Sequence, residues 1–435
     1  MAKKLSDVTE FIIDTKHNTP KYSDYGYPCI RTPNIGRGYF ELNNVKYVNE
    51  ETYEEWTERA VPKEGDLILA REAPVGNVAW IPPGLKVCIG QRTVLIRPIK
   101  DVVDPRYLNY YLLSDDCQNR MHSLSGGATV AHLNMSDIRA FEVYELPSLK
   151  VQKQIAAVLS AYDDLIENNL RRIKILEEMT QNLYREWFIK FRFPGHENTR
   201  FVDSPLGMIP EGWEIKQLGE LIAGHIGGGW GKDESNGKYT EPAWVIRGTD
   251  IPNAKHCDVS KIPFRCHTES NLKTRKLKPR DIIFEVSGGS KGQPLGRALL
   301  ISSELLRLFK GYPIICASFC KRIQPSYELY VPEMLYLSFI EGYGSGEIEQ
   351  FQVQSTGISN FRWSDYLEKA YRCVPPRSIQ DSFREITVSI FSQISMLGLK
   401  NHFLRQTRDL LLPKLISGEV DVSELDIKVP EEAVS

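Results

Sequence analysis

Three clusters in this 435-residue sequence hold residue types suited to chemistry. Gly227-Gly228-Gly229-Trp230-Gly231-Lys232-Asp233 has the glycines and lysine of a phosphate cradle. A nucleotide loop needs the spacing G-x-x-x-x-G-K, then a Ser or Thr hydroxyl for magnesium. Here Asp233 follows the lysine, so the segment reads as a flexible loop instead. His256-Cys257 and Cys266-His267 offer four zinc-ligand types, but adjacent pairs at this separation match no standard finger. Cys316 and Cys320 lie in an apolar run and read as core. The sequence carries no Asn-Pro-Pro-aromatic methyltransferase signature, no Walker A loop and no nuclease carboxylate cluster. The expectation is a chain without catalytic residues, metal or cofactor of its own.

Cationic side chains remain. Arg31 and Arg247 hold equivalent places in an internal repeat, each at the end of an expected strand. An arginine there can bond guanine bidentately or hold a phosphate; equally, it can close a salt bridge within its own module. Residues kept in both copies of a repeat should serve the scaffold, whereas readers of two different targets should differ. That reasoning favours polar loops without a match: Arg37 in Gly36-Arg37-Gly38-Tyr39, and Arg71-Glu72 beside Gln91-Arg92. In the second copy it favours Lys273, Arg275 and Lys276 in the basic run Asn271 to Lys278. It also favours Lys291 and Gln293 in Ser287-Gly288-Gly289-Ser290-Lys291-Gly292-Gln293. The ordinary readings are a solvated charged face and a plain hairpin loop.

Whole-chain charge does not announce an anionic partner, since the net charge is −2. The segment from Gly418 to Ser435 holds six acids and one base, so the rest of the chain is slightly basic. Local clusters matter more than the sum. Eight cysteines are too few for a disulfide scaffold, and no long apolar run or signal sequence is visible. A reducing cytoplasm is the expected compartment.

The elements that position these residues occur twice. Leu146-Pro147-Ser148-Leu149-Lys150-Val151-Gln152 returns as Val374-Pro375-Pro376-Arg377-Ser378-Ile379-Gln380, and Ser136-Asp137 as Ser364-Asp365, all at an offset of 228. Upstream, Ile30-Arg31 with Asn34-Ile35 matches Ile246-Arg247 with Asp250-Ile251 at 216, and Lys63–Leu69 matches Lys278–Phe284 at 215. Pro98 and Pro105 match Pro325 and Pro332 at 227. The drift falls where loops absorb insertions. This period is far longer than a solenoid repeat of roughly 20–50 residues. It describes two copies of one module.

Short apolar runs bounded by Gly and Pro predict strands at Asp66–Ala70, Thr93–Ile96, Asp281–Phe284 and Ile314–Cys316. Helices are predicted over Tyr107–Ser114 and Glu333–Ile340, each after a proline. After Pro147 and Pro375 the period changes to seven. Leu159, Ile166, Ile173, Thr180 and Trp187 form one register, with Tyr162, Asn169, Leu176 and Leu183 between them. In the second copy Ile394, Asn401 and Leu415 form one register and Ile390, Leu397, Leu404 and Leu411 the other, with Arg408 interrupting. A heptad sustained this long predicts a coiled-coil seam. Asn169 and Asn401 either fix its register or turn to a solvated edge. The expected division is 1–146, first recognition domain; 147–193, first spacer helix; 194–374, linker and second recognition domain; 375–435, second spacer helix and acidic tail.

At these residues the chain resembles the specificity subunit of type I restriction–modification enzymes. PLGMIPEGWEIKQLGEL (Pro205 to Leu221) is similar to that family's entry into a target-recognition domain. LPSLKVQKQIAAVL (Leu146 to Leu159) and LRQTRDLLLPKLISGEVDV (Leu404 to Val422) are similar to its two helical regions. The family often has an acid before the glutamine of the first region, where this chain has Val151. The resemblance covers essentially the whole chain. It implies an α+β fold: two similar target-recognition domains separated by two long antiparallel helices in a coiled coil, with pseudo-two-fold symmetry. It implies a non-catalytic subunit reading double-stranded DNA. Its partners would be two methylation subunits, which bind S-adenosylmethionine, and restriction–translocation subunits. The expected target is two short unlike sequences separated by a fixed unread gap, near one helical turn of DNA apart, about 34–36 Å. The rival readings are a coiled-coil interaction scaffold, and a stand-alone DNA methyltransferase or nuclease with its own recognition domains.

Overall fold

The structure, a computed structural model, describes residues 3–16, 18–42, 44–126, 131–144, 146–288, 294–354 and 359–429. The chain divides into two units, one running to Asp164 and resuming at Leu404, the other spanning Leu165–Phe403. Each takes part of both long helices, Leu149–Tyr184 and Arg377–Ile416.

In the first unit a four-stranded antiparallel sheet has the order Thr9–Asp14, Thr93–Pro98, Leu67–Ala70, Val78–Trp80. Beside it lie three strands ordered Lys46–Val48, Tyr27–Ile30, Cys88–Ile89, the last two parallel. The central strand Leu67–Ala70 is apolar at every position because both of its faces are buried. Pro105 opens the helix Pro105–Leu113, where a missing N–H costs nothing, and the Asp104 carboxylate accepts from the Tyr107 N–H at 2.9 Å.

The second unit repeats this plan strand for strand. Its four-stranded antiparallel sheet is Ile222–Gly227, Cys320–Pro325, Ile282–Glu285, Ala298–Leu300. Its three-stranded sheet is Phe264–His267, Glu241–Ile246, Ile314–Cys316, again with the last pair parallel. The helix after Pro332 runs on to Ser345. Two copies matched at only scattered positions thus reach one topology, which the drifting offset anticipated.

A glutamine ties each module to its long helix. In the first unit the Gln152 side-chain carbonyl accepts from the Asp104 N–H at 2.9 Å, and its amide donates to the carbonyls of Pro147 and Val102. In the second, Gln380 accepts from the Val331 N–H at 3.2 Å and donates to Pro375 and Leu329. Both side chains are buried. A buried N–H left unpaired costs about 1–3 kcal/mol, which explains why the motif carries Gln at the same step after each proline.

The heptad positions form the seam. Leu159, Ile166, Ile173, Thr180 and Trp187 are all buried, as are Ile390, Ile394 and Leu397. In the second unit Ile173 packs with Ile390, Ile394 and Leu397, flanked by Leu170 and Leu176. In the first, Leu159 and Ile155 share a core with Leu415, and Leu411 packs on its edge. Leu404 and Leu411 are only half-buried, and Leu183 leaves the seam to pack on the second unit's aromatic core. That core gathers Tyr184, Trp187, Phe188, Trp213 and Phe383. Arg408 is accommodated by an ion pair to Asp163, whose other oxygen accepts from the Tyr110 hydroxyl. The final segment is anchored as well: Val422 is in the first unit's core and Gln154 donates to the Leu425 carbonyl at 3.0 Å. Among the described residues no helix is long and apolar enough to cross a membrane.

Candidate nucleic-acid interface

The paired arginines do different things. Arg247 binds Asp250 through Nε and Nη2 at 2.8 and 2.7 Å, and Nη2 also donates to the Lys261 carbonyl. Its fork is largely consumed by its own module. Arg31 stands opposite Asn34, which has no charge; the Asn34 side-chain carbonyl accepts the Arg31 N–H at 3.2 Å, and its amide donates to the Glu41 carbonyl at 3.0 Å. The Arg31 guanidinium instead lies over Tyr22 at 5.7 Å, with its Nε buried and without a hydrogen-bond partner. One substitution, Asn for Asp, separates a closed scaffold pair from an arginine with donors to spare.

Arg37 is exposed and Nη2 donates to the Leu113 carbonyl at 3.1 Å. Arg71 is half-buried and Nε donates to the Leu133 carbonyl at 2.9 Å. Gln91 and Arg92 form the turn before the strand Thr93–Pro98, and Arg92 meets Glu72 at 3.1 Å. Arg92 has φ of 66°. That left-handed conformation is uncommon for a residue with a side chain.

The basic run in the second unit is a helix rather than the loop expected from its polarity. Residues Glu269–Arg275 are helical, the Thr268 hydroxyl caps the Asn271 N–H, and Leu272 is buried beneath. A cap and one apolar anchor suffice to wind a short turn. The helix separates the three cations. Lys273 and Lys276 are exposed, while Arg275 turns inward and donates from Nε to the Gly227 carbonyl at 2.9 Å. Lys291 and Gln293 lie outside the described residues.

The would-be zinc ligands are dispersed. His256 meets Glu177 at 3.1 Å, and Cys257 is buried with its thiol toward the Ser395 carbonyl. Cys266 and His267 are neighbours on a strand, so they face opposite sides. His267 is wholly buried, and burial, then Arg265 and Arg275, hold its pKa below the ordinary range. Among the described residues no group of three or more His, Cys, Asp or Glu could hold a metal.

One backbone framework recurs around the Arg92 turn. In the first unit the Gly90 N–H bonds the Ile30 carbonyl, the Arg71 N–H bonds the Arg92 carbonyl at 2.9 Å, and the Leu133 N–H bonds the Arg71 carbonyl at 3.1 Å. In the second, Ala317 bonds Ile246, Val286 bonds Phe319 at 2.9 Å, and Phe361 bonds Val286 at 2.8 Å. The adjoining cross-strand pair is Glu72 with His132 in one and Ser287 with Asn360 in the other. Phe319 is therefore the counterpart of Arg92. Residue type hides it in the sequence, because a phenylalanine carries none of the charged or amide groups that mark a base contact. The match of Thr93 to Cys320 by the strand offset was the signal that could have found it.

Residues 1–178 match the family described as the type I restriction modification DNA specificity domain. Over 87% of its length the chain is 28% identical to the MjaIX type I restriction enzyme specificity subunit of Methanocaldococcus jannaschii, covering 82% of that protein. It is 21% identical to the HindI type I specificity subunit of Haemophilus influenzae, across 96% of this chain and all of that one. The fold is that of the S subunit from M. genitalium, with a TM-score of 0.52, 13% identity and 95% of both chains covered. Along most of its length the chain is thus similar to type I specificity subunits, the family that its motifs resemble.

Proposed function

We propose that this chain is the DNA sequence-specificity subunit of a type I restriction–modification complex. It works with DNA and with the other subunits of that complex, and it directs catalysis instead of performing it. The observation that carries this reading is the repetition of one sheet plan and one glutamine clamp in two sequences whose exposed loops differ. Two readers of one build and unlike surface chemistry suit two unlike half-targets. The paired helices suit a constant gap between them. In the finer form of the proposal, two methylation subunits carry S-adenosylmethionine, and restriction–translocation subunits join them. Arg31, Arg37, Arg71, Gln91 and Arg92 would serve the first half-target. Lys273, Lys276, Lys291 and Gln293 would serve the second, while Arg247 and Arg275 hold the frame of their own module.

The test is reconstitution. The chain with its methylation subunits should methylate a split target; the chain alone, and the methylation subunits alone, should not. Methylation by the isolated chain would establish an enzyme and overturn the proposal. Equal binding of the complex to random and selected DNA would favour a plain scaffold.

A further inference from the structure

We propose that Arg92 and Phe319 are specificity-determining residues, one for each half-target, held at the same place on the same backbone framework. The inference rests on the chain being a DNA-reading subunit, and goes on to name the contact each module makes.

The backbone hydrogen bonds through Arg71, Arg92 and Leu133 repeat through Val286, Phe319 and Phe361. The scaffold is thus common to both copies while the side chains on it are not. Arg71, Glu72, His132 and Arg92 in one copy stand where Val286, Ser287, Asn360 and Phe319 stand in the other. A charged set has become a neutral one without change of frame. Phe319 stands on this turn with 53% of its surface exposed. The Arg92 side chain is similarly open, at 57%. Both side chains are presented outward at little cost to the core.

Their chemistry distinguishes bases. The guanidinium fork of Arg92 matches O6 and N7 of guanine, and Glu72, 3.1 Å away, can accept from the cytosine amino group. Phe319 has no polar reach. Beside it the Ser287 hydroxyl is already bonded to Asn360 at 2.8 Å. An exposed aromatic ring in a major groove finds the thymine C5-methyl as its apolar partner. The first half-target should therefore contain a G·C pair read by Arg92, and the second a thymine read by Phe319.

The experiment uses the complete chain with its methylation subunits and a random-sequence DNA library, read out as the methylated motif. Arg92→Ala should relax one position of one half-target by about tenfold. Phe319→Ala should relax one position of the other half-target, by several-fold, and Phe319→Leu should retain most of the preference. Both side chains are exposed, so neither variant should unfold. Replacing the thymines of the second half-target with deoxyuridine should weaken wild-type binding several-fold and leave Phe319→Ala unaffected. An unchanged motif in both alanine variants, or changes in both half-targets from either one, would overturn the inference. Indifference of wild type to deoxyuridine would overturn the thymine contact. If wild type itself yields no split motif, the DNA-reading function fails, which is a different result from a split motif that ignores these two residues.

Discussion

The side-chain amide of Asn169 donates to the side-chain carbonyl of Asn401 at 2.8 Å, inside a seam where Asn401 is wholly buried. The Asn401 amide in turn faces the Ile166 carbonyl at 3.4 Å. A polar pair at one level of an apolar seam is satisfied only when those two levels meet, so it penalises a slipped register. Asn401→Ala should lower stability by about 1–3 kcal/mol, because the half-buried Asn169 amide is then unpaired. A double-mutant cycle in chemical denaturation, adding Asn169→Ala, should show clear coupling. Additive losses would mean the pair does not act as a unit.

The glutamine clamps make a parallel prediction. Gln152→Leu and Gln380→Leu each strand a buried N–H, on Asp104 and Val331 respectively. Each should cost about 1–3 kcal/mol in unfolding experiments. Similar losses in the two modules would reflect their common build.

Buried and exposed ion pairs should separate sharply. Asp281 and Arg322 are nearly inaccessible and paired at 2.7 Å. Asp281→Ala should cost about 3–5 kcal/mol by leaving a buried guanidinium unmatched. Asp14→Ala, which breaks a pair with the mostly exposed Arg59, should cost about 1 kcal/mol or less. Thermal unfolding of the two variants gives the comparison.

Acid should weaken the second unit through His267. Burial, with help from Arg265 and Arg275, lowers its folded pKa, so the unfolded chain binds a proton first as pH falls. Stability is complete above the unfolded value of about 6.5 and declines below it. His267→Gln should flatten the dependence of the melting temperature on pH below about 6.5. An identical profile in both proteins would remove His267 as the cause.

Salt dependence of binding reveals which lysines neutralise phosphates. Lys273 and Lys276 are exposed, so Lys273→Gln with Lys276→Gln should leave the fold intact. For each phosphate that no longer meets a lysine, the slope of log affinity against log salt should fall by about 0.9. An unaltered slope would place both lysines away from the DNA. Arg275 is a poorer choice for this test, because it also holds the Gly227 carbonyl.

Periodic features were legible in the sequence because burial imposes them. The heptads at Leu159, Ile166 and Ile173 and the apolar run Leu67–Ala70 needed no structure to be found. The role of a polar side chain depends on what lies across from it, which residue type alone does not encode. Arg31 and Arg247 look alike in the chain, yet Asp250 occupies one and Asn34 leaves the other open. Arg275 reads as a surface cation and turns inward. Phe319 was invisible for the opposite reason: a reader can be apolar, and only its position on the shared framework marks it.

The most direct test of the account is to map methylated bases genome-wide or in a random library, using the wild-type chain with its methylation subunits. Two short, unlike sequences separated by a constant number of unread base pairs are the predicted result. A single uninterrupted motif, or two halves at variable separation, would contradict it.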